Sequence, residues 1–199
     1  ARKESEEIIK KSEIRFKSLF EDSPIPLWEE DFSEIKKHLE KLNLINENPQ
    51  TLALYFKTHP DLVDKCFSLL KIIDVNTMCL KLHKVKTKKE LILDHSQIID
   101  ENYISAFTKQ LIAITQGEKQ IIVDTKIKTS EGEYRDVNLR WSVIRGYEKT
   151  LERIILSTAD ITDRKSSENI ILKSKQRTES LINTIDGIVW ECHIKSLNF

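Results

Sequence analysis

The sequence predicts an α+β fold, with helices gathered on one side of an antiparallel sheet, and three observations carry that expectation. Strand and helix patterns run in the order strand, helices, strand, helices, then three consecutive strands. The last three strands alternate apolar and polar residues. Between two of them, Ser130-Glu131-Gly132-Glu133 reads as a hairpin turn.

Residues 3–21 set Ile8, Ile9, Phe16, Leu19 and Phe20 among charges at helical spacing, and Pro24 and Pro26 end that helix. Residues 27–32 read as the first strand. Ser33 is the expected N-cap of a helix carrying Ile35, Leu39 and Leu42. A short helix follows at 50–57, and Pro60 suits the first turn of another through Val63, Cys66 and Leu69. Residues 71–75 form the second strand, with helices expected from Asn76 to His83 and at 87–93. Residues 102–115 make a longer amphipathic helix, with Ile104, Phe107, Leu111 and Ile114 on one side and Gly117 closing it. The late strands are 120–129, 134–144 and 153–159.

Bulk properties narrow the function. Lys+Arg and Asp+Glu are each 32, so the formal net charge is zero, which argues against a basic nucleic-acid-binding surface. No apolar run approaches the roughly 20 residues of a membrane span. The first residues lead into a charged helix rather than a signal peptide. Three cysteines without CxxC spacing are the usage of reduced thiols, so the expected compartment is cytoplasmic.

An internal repeat organises the chain. Residues 2–29 align without gaps onto 164–191, an offset of 162, with thirteen of 28 pairs identical, among them Trp28/Trp190 and Glu29/Glu191. Chance gives about two. The expected domains are therefore an entry helix at 1–22, one full unit at 23–162, an exit helix at 163–185, and the start of a second unit at 186–199. The whole reads as a piece of a longer protein.

Three stretches carry a family resemblance. Residues 12–26 resemble the entry helix and turn of PAS domains. Ile73-Asp74-Val75-Asn76, followed by Thr87-Lys88-Lys89-Glu90-Leu91, resembles their strand-to-helix step. Glu131-Gly132-Glu133-Tyr134-Arg135 and Asp160-Ile161-Thr162-Asp163-Arg164-Lys165 resemble the late hairpin and the exit signature, the last being the most specific. The resemblance implies a five-stranded PAS fold and a regulatory sensor domain without catalysis of its own. It differs from the usual pattern in one respect: residues 33–70 form a helical insertion after the first strand.

The resemblance also implies a small-molecule pocket. Trp28 and Trp141 are expected to line it, with Asn76 or Arg140 supplying polar contacts. Members that bind flavin covalently carry a reactive cysteine in a segment corresponding to 94–99, and none is present here. Haem-binding members often place an axial histidine on the long helix, and 102–115 has none, which leaves His95 as a weak candidate. Cys79 and His83, four apart on a helix, lack third and fourth metal ligands and read as a buried cysteine and a surface histidine. Glu29, Glu30 and Asp31 alternate across a strand and so do not form a catalytic pair. Phosphate-loop and hydrolase motifs are absent.

Asp160, Ile161, Thr162 and Arg164 mark where a signal is expected to leave. The flanking helices keep only thin apolar stripes, Ile8, Phe16 and Leu19 in one and Ile170, Ile171, Leu181, Ile182 and Ile185 in the other, as in coiled-coil relays that make a homodimer. By resemblance the output domain, elsewhere in the parent chain, is a histidine kinase, with a diguanylate cyclase second. The alternative is a ligand-free dimerisation or spacing module.

Overall fold

The five strand patterns pair into one antiparallel sheet in the order β2-β1-β5-β4-β3. The computed structural model describes residues 2–93 and 99–196. β1 is Leu27–Asp31, β2 Lys71–Val75, β3 Gln120–Lys128, β4 Tyr134–Val143 and β5 Ile154–Asp160. β4 pairs with both β3 and β5, and β1 with both β5 and β2, so β1 lies inside the sheet. Between β1 and β2 the register shifts at Glu29/Glu30, which leaves Ile73 as an extra residue on β2.

Alternation then sorts the side chains. Trp28, Leu139, Trp141, Ile154 and Leu156 are buried in the main core, whereas Ile122 and Arg140 are exposed on the other face. The helices supply the rest of that core, as the α+β pattern requires: α5 (Thr77–His83) packs near β1, α6 (Lys88–Leu93) near β2, and α7 (Glu101–Thr115) along β3.

The insertion is helical, as expected, and comprises α2 (Ser33–Lys41), α3 (Pro49–Thr58) and α4 (Pro60–Leu69). It completes the interior rather than standing outside it. Phe32, Ile35, Leu39, Leu52 and Phe56 join the core. The Phe32 ring meets Trp141 edge-on at 5.7 Å, and Phe67 meets Phe107 at 5.5 Å.

Local chemistry sets the helix starts. Asn48 accepts from the Gln50 and Thr51 amides, with Pro49 in the first turn. Asp100 accepts from the Tyr103 amide at 2.9 Å. Ser33 is not the N-cap of α2: it lies inside the helix and its amide donates to Asp31 Oδ1 at 2.8 Å. The cap falls instead on Phe32, whose ring is fully buried, so packing decides the boundary.

α1 (Arg2–Glu21) and α8 (Thr162–Ser196) flank the sheet in sequence. The chain divides into two compact units, Ala1–Asp160 and Ile161–Phe199. α8 continues past the expected end at 185 into the residues where a second unit, and with it a new first strand aligned with Trp28, was expected to begin. A helix satisfies its own backbone, whereas a strand needs a neighbour to pair with. Residues 197–199 lie outside the described residues. Among the described residues, no helix is long and apolar enough to cross a membrane.

One side chain holds several of these elements together. Asn76, fully buried, accepts at Oδ1 from the Leu27 amide at 3.0 Å and the Cys79 amide at 3.2 Å. Its Nδ2 donates to the carbonyls of Phe20 at 3.1 Å and Ile25 at 2.9 Å. It thus caps α5 and joins the end of α1 to the start of β1. Asn76→Ala is expected to cost about 2–4 kcal/mol in urea unfolding, because it strands buried partners at both ends of the amide. Asn76→Asp keeps the Oδ1 acceptor but turns a second oxygen toward the Phe20 and Ile25 carbonyls in a dry site, and is expected to cost at least as much.

Candidate functional site

β1 carries two adjacent glutamates with opposite fates. Glu29 points away from the core and its Oε1 lies 3.0 Å from the Arg153 guanidinium. Glu30 is on the core side, only 3% exposed, and its Oε2 is buried without a hydrogen-bond partner. Burial alone pushes its carboxyl up to about 8.

Glu30 borders a cavity of about 40 Å³ against the sheet. β4 and β5 contribute Leu139, Leu156 and Thr158, α7 contributes Tyr103, Phe107 and Gln110, and α5 contributes His83. Glu30, His83, Gln110 and Thr158 are all buried. Burial, with the Glu30 charge added, drives the Tyr103 hydroxyl well above its ordinary range, so the phenol stays protonated. The space accommodates roughly two to four water-sized groups.

His83 corrects an expectation: it is not a surface residue but 4% exposed. Lys84 takes a left-handed conformation as the C-cap of α5, and the imidazole packs edge-on against Trp28 at 5.4 Å. Burial pulls its pKa down to about 4, opposed by a hydrogen bond to the Lys128 backbone. Nδ1 has no partner. Cys79 is buried as expected and its Sγ donates to the Leu27 carbonyl at 3.0 Å. Among the described residues, no group of three or more His, Cys, Asp or Glu side chains is placed to hold a metal.

The four pocket residues expected from sequence do not line this cavity. Trp28 stands behind His83, Trp141 is sealed against Phe32, and Asn76 is spent on the backbone. Arg140 is exposed on the opposite face, since Trp141 next to it faces in. His95 and residues 94–98 around it lie outside the described residues.

The late hairpin docks on the end of α5. Ser130 donates through its amide to the His83 carbonyl at 3.0 Å and through its hydroxyl to the Lys84 carbonyl at 2.8 Å. Lys84 pairs with Glu131 at 2.6 Å and Glu133 at 2.8 Å. Arg135 then bridges Glu133 and Asp160, each at 3.2 Å. A contiguous run of contacts therefore leads from a cavity residue to the first residue of the exit signature. Beyond it, Ile161 accepts from the Lys165 amide at 2.9 Å, and Arg164 stands 3.9 Å from Glu168.

With this sheet order, the helices on one face and the entry, hairpin and exit motifs on their expected elements, the architecture is settled. The fold is a PAS fold. No family model matches the sequence, and no curated protein matches it. Solved structures similar to the chain include the PAS domain of an HTR-like protein from Haloarcula marismortui, at 14% identity over 80% of this chain and 99% of that one, TM-score 0.47. A PAS domain from Colwellia psychrerythraea is similar at 14% identity, covering 78% and 98%, TM-score 0.47. A domain of a sensory box sensor histidine kinase/response regulator from Geobacter sulfurreducens is similar at 12% identity, covering 75% and 94%, TM-score 0.45. Identities this low carry nothing about ligand or output.

Glu30 and His83 act on stability in opposite directions. The Glu30 carboxyl, raised from 4.5 to about 8, contributes stability that is complete below 4.5 and lost as pH rises toward 8. His83, lowered from 6.5 to about 4, contributes stability that is complete above 6.5 and lost as pH falls toward 4. The two slopes oppose each other below 6.5, and only that of Glu30 remains between 6.5 and 8. Urea midpoints of the domain are thus expected to fall from pH 6.5 to 8, and Glu30→Gln to flatten that fall.

Proposed function

We propose that this PAS domain is a regulatory sensor that binds a small molecule in the Glu30 cavity and passes a packing change to an output domain elsewhere in the parent protein. One observation carries the reading: two buried polar atoms without partners, Glu30 Oε2 and His83 Nδ1, belong to side chains that line the same cavity. Each such atom costs about 1–3 kcal/mol when left unpaired. A domain that only spaces its neighbours gains nothing from holding them there, whereas a ligand that pairs them recovers the loss.

The contacts from His83 through Lys84, Glu133 and Arg135 to Asp160 support a route outward. In this reading a ligand changes the packing at the end of α5, the hairpin follows, and the equilibrium at the start of α8 shifts. Chemistry belongs to the output domain, for which the sequence resemblance favours a histidine kinase over a diguanylate cyclase. The segment itself is cytoplasmic in this reading, and the repeat at 186–199 opens a second PAS unit of the same array.

A second reading has its own support. Ile170, Ile171, Leu181 and Ile182 are exposed on α8, and Phe16 and Leu19 on α1. These stripes favour pairing with a second copy through the flanking helices, with or without a ligand.

Native mass spectrometry of the protein purified from its own host tests the first reading. A stoichiometric small-molecule adduct is expected, and an adduct-free chain that also shows no thermal shift against a metabolite library removes it. Arg135→Ala tests the route. Its two ion pairs are partly exposed, so the variant is expected to keep its urea midpoint nearly unchanged. Ligand-dependent hydrogen exchange at the start of α8 is expected to disappear in that variant, and its survival would place the route elsewhere.

A further inference from the structure

Of the two unpartnered atoms on the cavity, His83 Nδ1 is an acceptor and Glu30 Oε2 becomes one when the carboxyl ionises. His83 gives one ring nitrogen to the Lys128 backbone, and the ring is held neutral by burial, so Nδ1 keeps a bare lone pair. Glu30 Oε2 accepts whenever the carboxyl is ionised. Among the described residues, no cation answers it. The one lysine bordering the cavity, Lys126, carries its ammonium to Asp136 at 3.3 Å. Tyr103, Gln110 and Thr158 bring the other polar side chains to the lining, which Phe107, Leu139 and Leu156 otherwise make apolar, but Glu30 Oε2 and His83 Nδ1 are the lining atoms buried without a partner among the described residues.

Neither an anion nor a purely apolar ligand can donate to the two unpartnered atoms, Glu30 Oε2 and His83 Nδ1. A cation with several N–H donors pairs both and supplies the countercharge that lets the carboxyl ionise. The ring faces and aliphatic side chains around it suit a short alkyl group. A cavity of about 40 Å³ limits the ligand to roughly two to four non-hydrogen atoms.

We propose that the Glu30 cavity takes a small ammonium-type cation, ammonium itself or a short primary amine, which donates to Glu30 Oε2 and His83 Nδ1. This rests on the reading of the cavity as the ligand site and names the ligand's chemistry. The repeat adds a point of sequence: the position aligned with Glu30 in the second unit is Cys192, so the carboxyl belongs to the first unit alone.

Thermal unfolding of the full chain with methylammonium chloride tests the proposal, against equal concentrations of tetramethylammonium chloride and potassium chloride. Methylammonium is expected to raise Tm in a saturable way, and the two salts lacking N–H donors are not. In Glu30→Gln, whose folding is checked by circular dichroism, the methylammonium affinity is expected to fall about ten- to a hundred-fold, as for loss of a hydrogen bond to a charged group. If that variant does not fold, His83→Phe removes the other acceptor and carries the same expected direction. Equal shifts with all three salts, or an unchanged affinity in the variants, overturn the proposal. A neutral or anionic adduct from the host also overturns it while leaving the sensor reading in place. Absence of any adduct, together with no shift from methylammonium or the library, removes both.

Discussion

The side-chain amide of Asn76 is the interaction on which the rest of this domain depends. It reaches residues 49, 51 and 56 positions away in sequence and three positions ahead, and every one of its bonds is to backbone. Backbone partners make the clip indifferent to the side chains it joins but strict about their placement. The end of α1, the proline turn, the first residue of β1 and the first turn of α5 are held at one point. A side chain that ties four segments loses far more when removed than a helix cap alone, because each released group is left in a dry interior.

Fixing the start of β1 also fixes which of its residues look inward. Trp28 and Glu30 share a face, and β1 has neighbours on both sides, so neither side chain can escape past a sheet edge. Trp28 fills space against His83. Glu30 is then buried whether or not a partner is present, and the domain accepts a neutral carboxyl there near neutral pH. The insertion makes the burial complete. Phe32 and Phe67, which lie beyond the first strand, pack with Phe107 and Trp141.

Much of the element pattern was legible in the chain because it is local. β2 and the span of α5 were placed correctly since a run of β-branched residues and an Asn cap are short-range signals. The hairpin followed from Gly132, which adopts a positive φ of 83°. Misplaced details were those settled by distant contacts. Ser33 has the chemistry of a cap, but the burial of Phe32 moved the boundary by one residue. His83 has the chemistry of a surface residue, but the hairpin closing over Lys84 helped to bury it. The pocket residues chosen for size and polarity, Trp28, Trp141, Asn76 and Arg140, are respectively core, core, clip and surface.

The sequence alone determined that this chain builds three sequential strands after alternating strands and helices, that its insertion is helical, and that its opening recurs 162 residues later. Those properties follow from periodicity, turn chemistry and identity, which need no knowledge of neighbours. Strand alternation also held a clue to the site: once Trp28 is placed inward, Glu30 must follow, and Arg140 must turn out if Trp141 turns in. Only the tertiary structure decided the order β2-β1-β5-β4-β3, and with it which elements meet. Whether a buried carboxyl finds a cation or a cavity depends on what α5, α7, β4 and β5 bring to that face, and those segments lie some 50 to 130 residues from it.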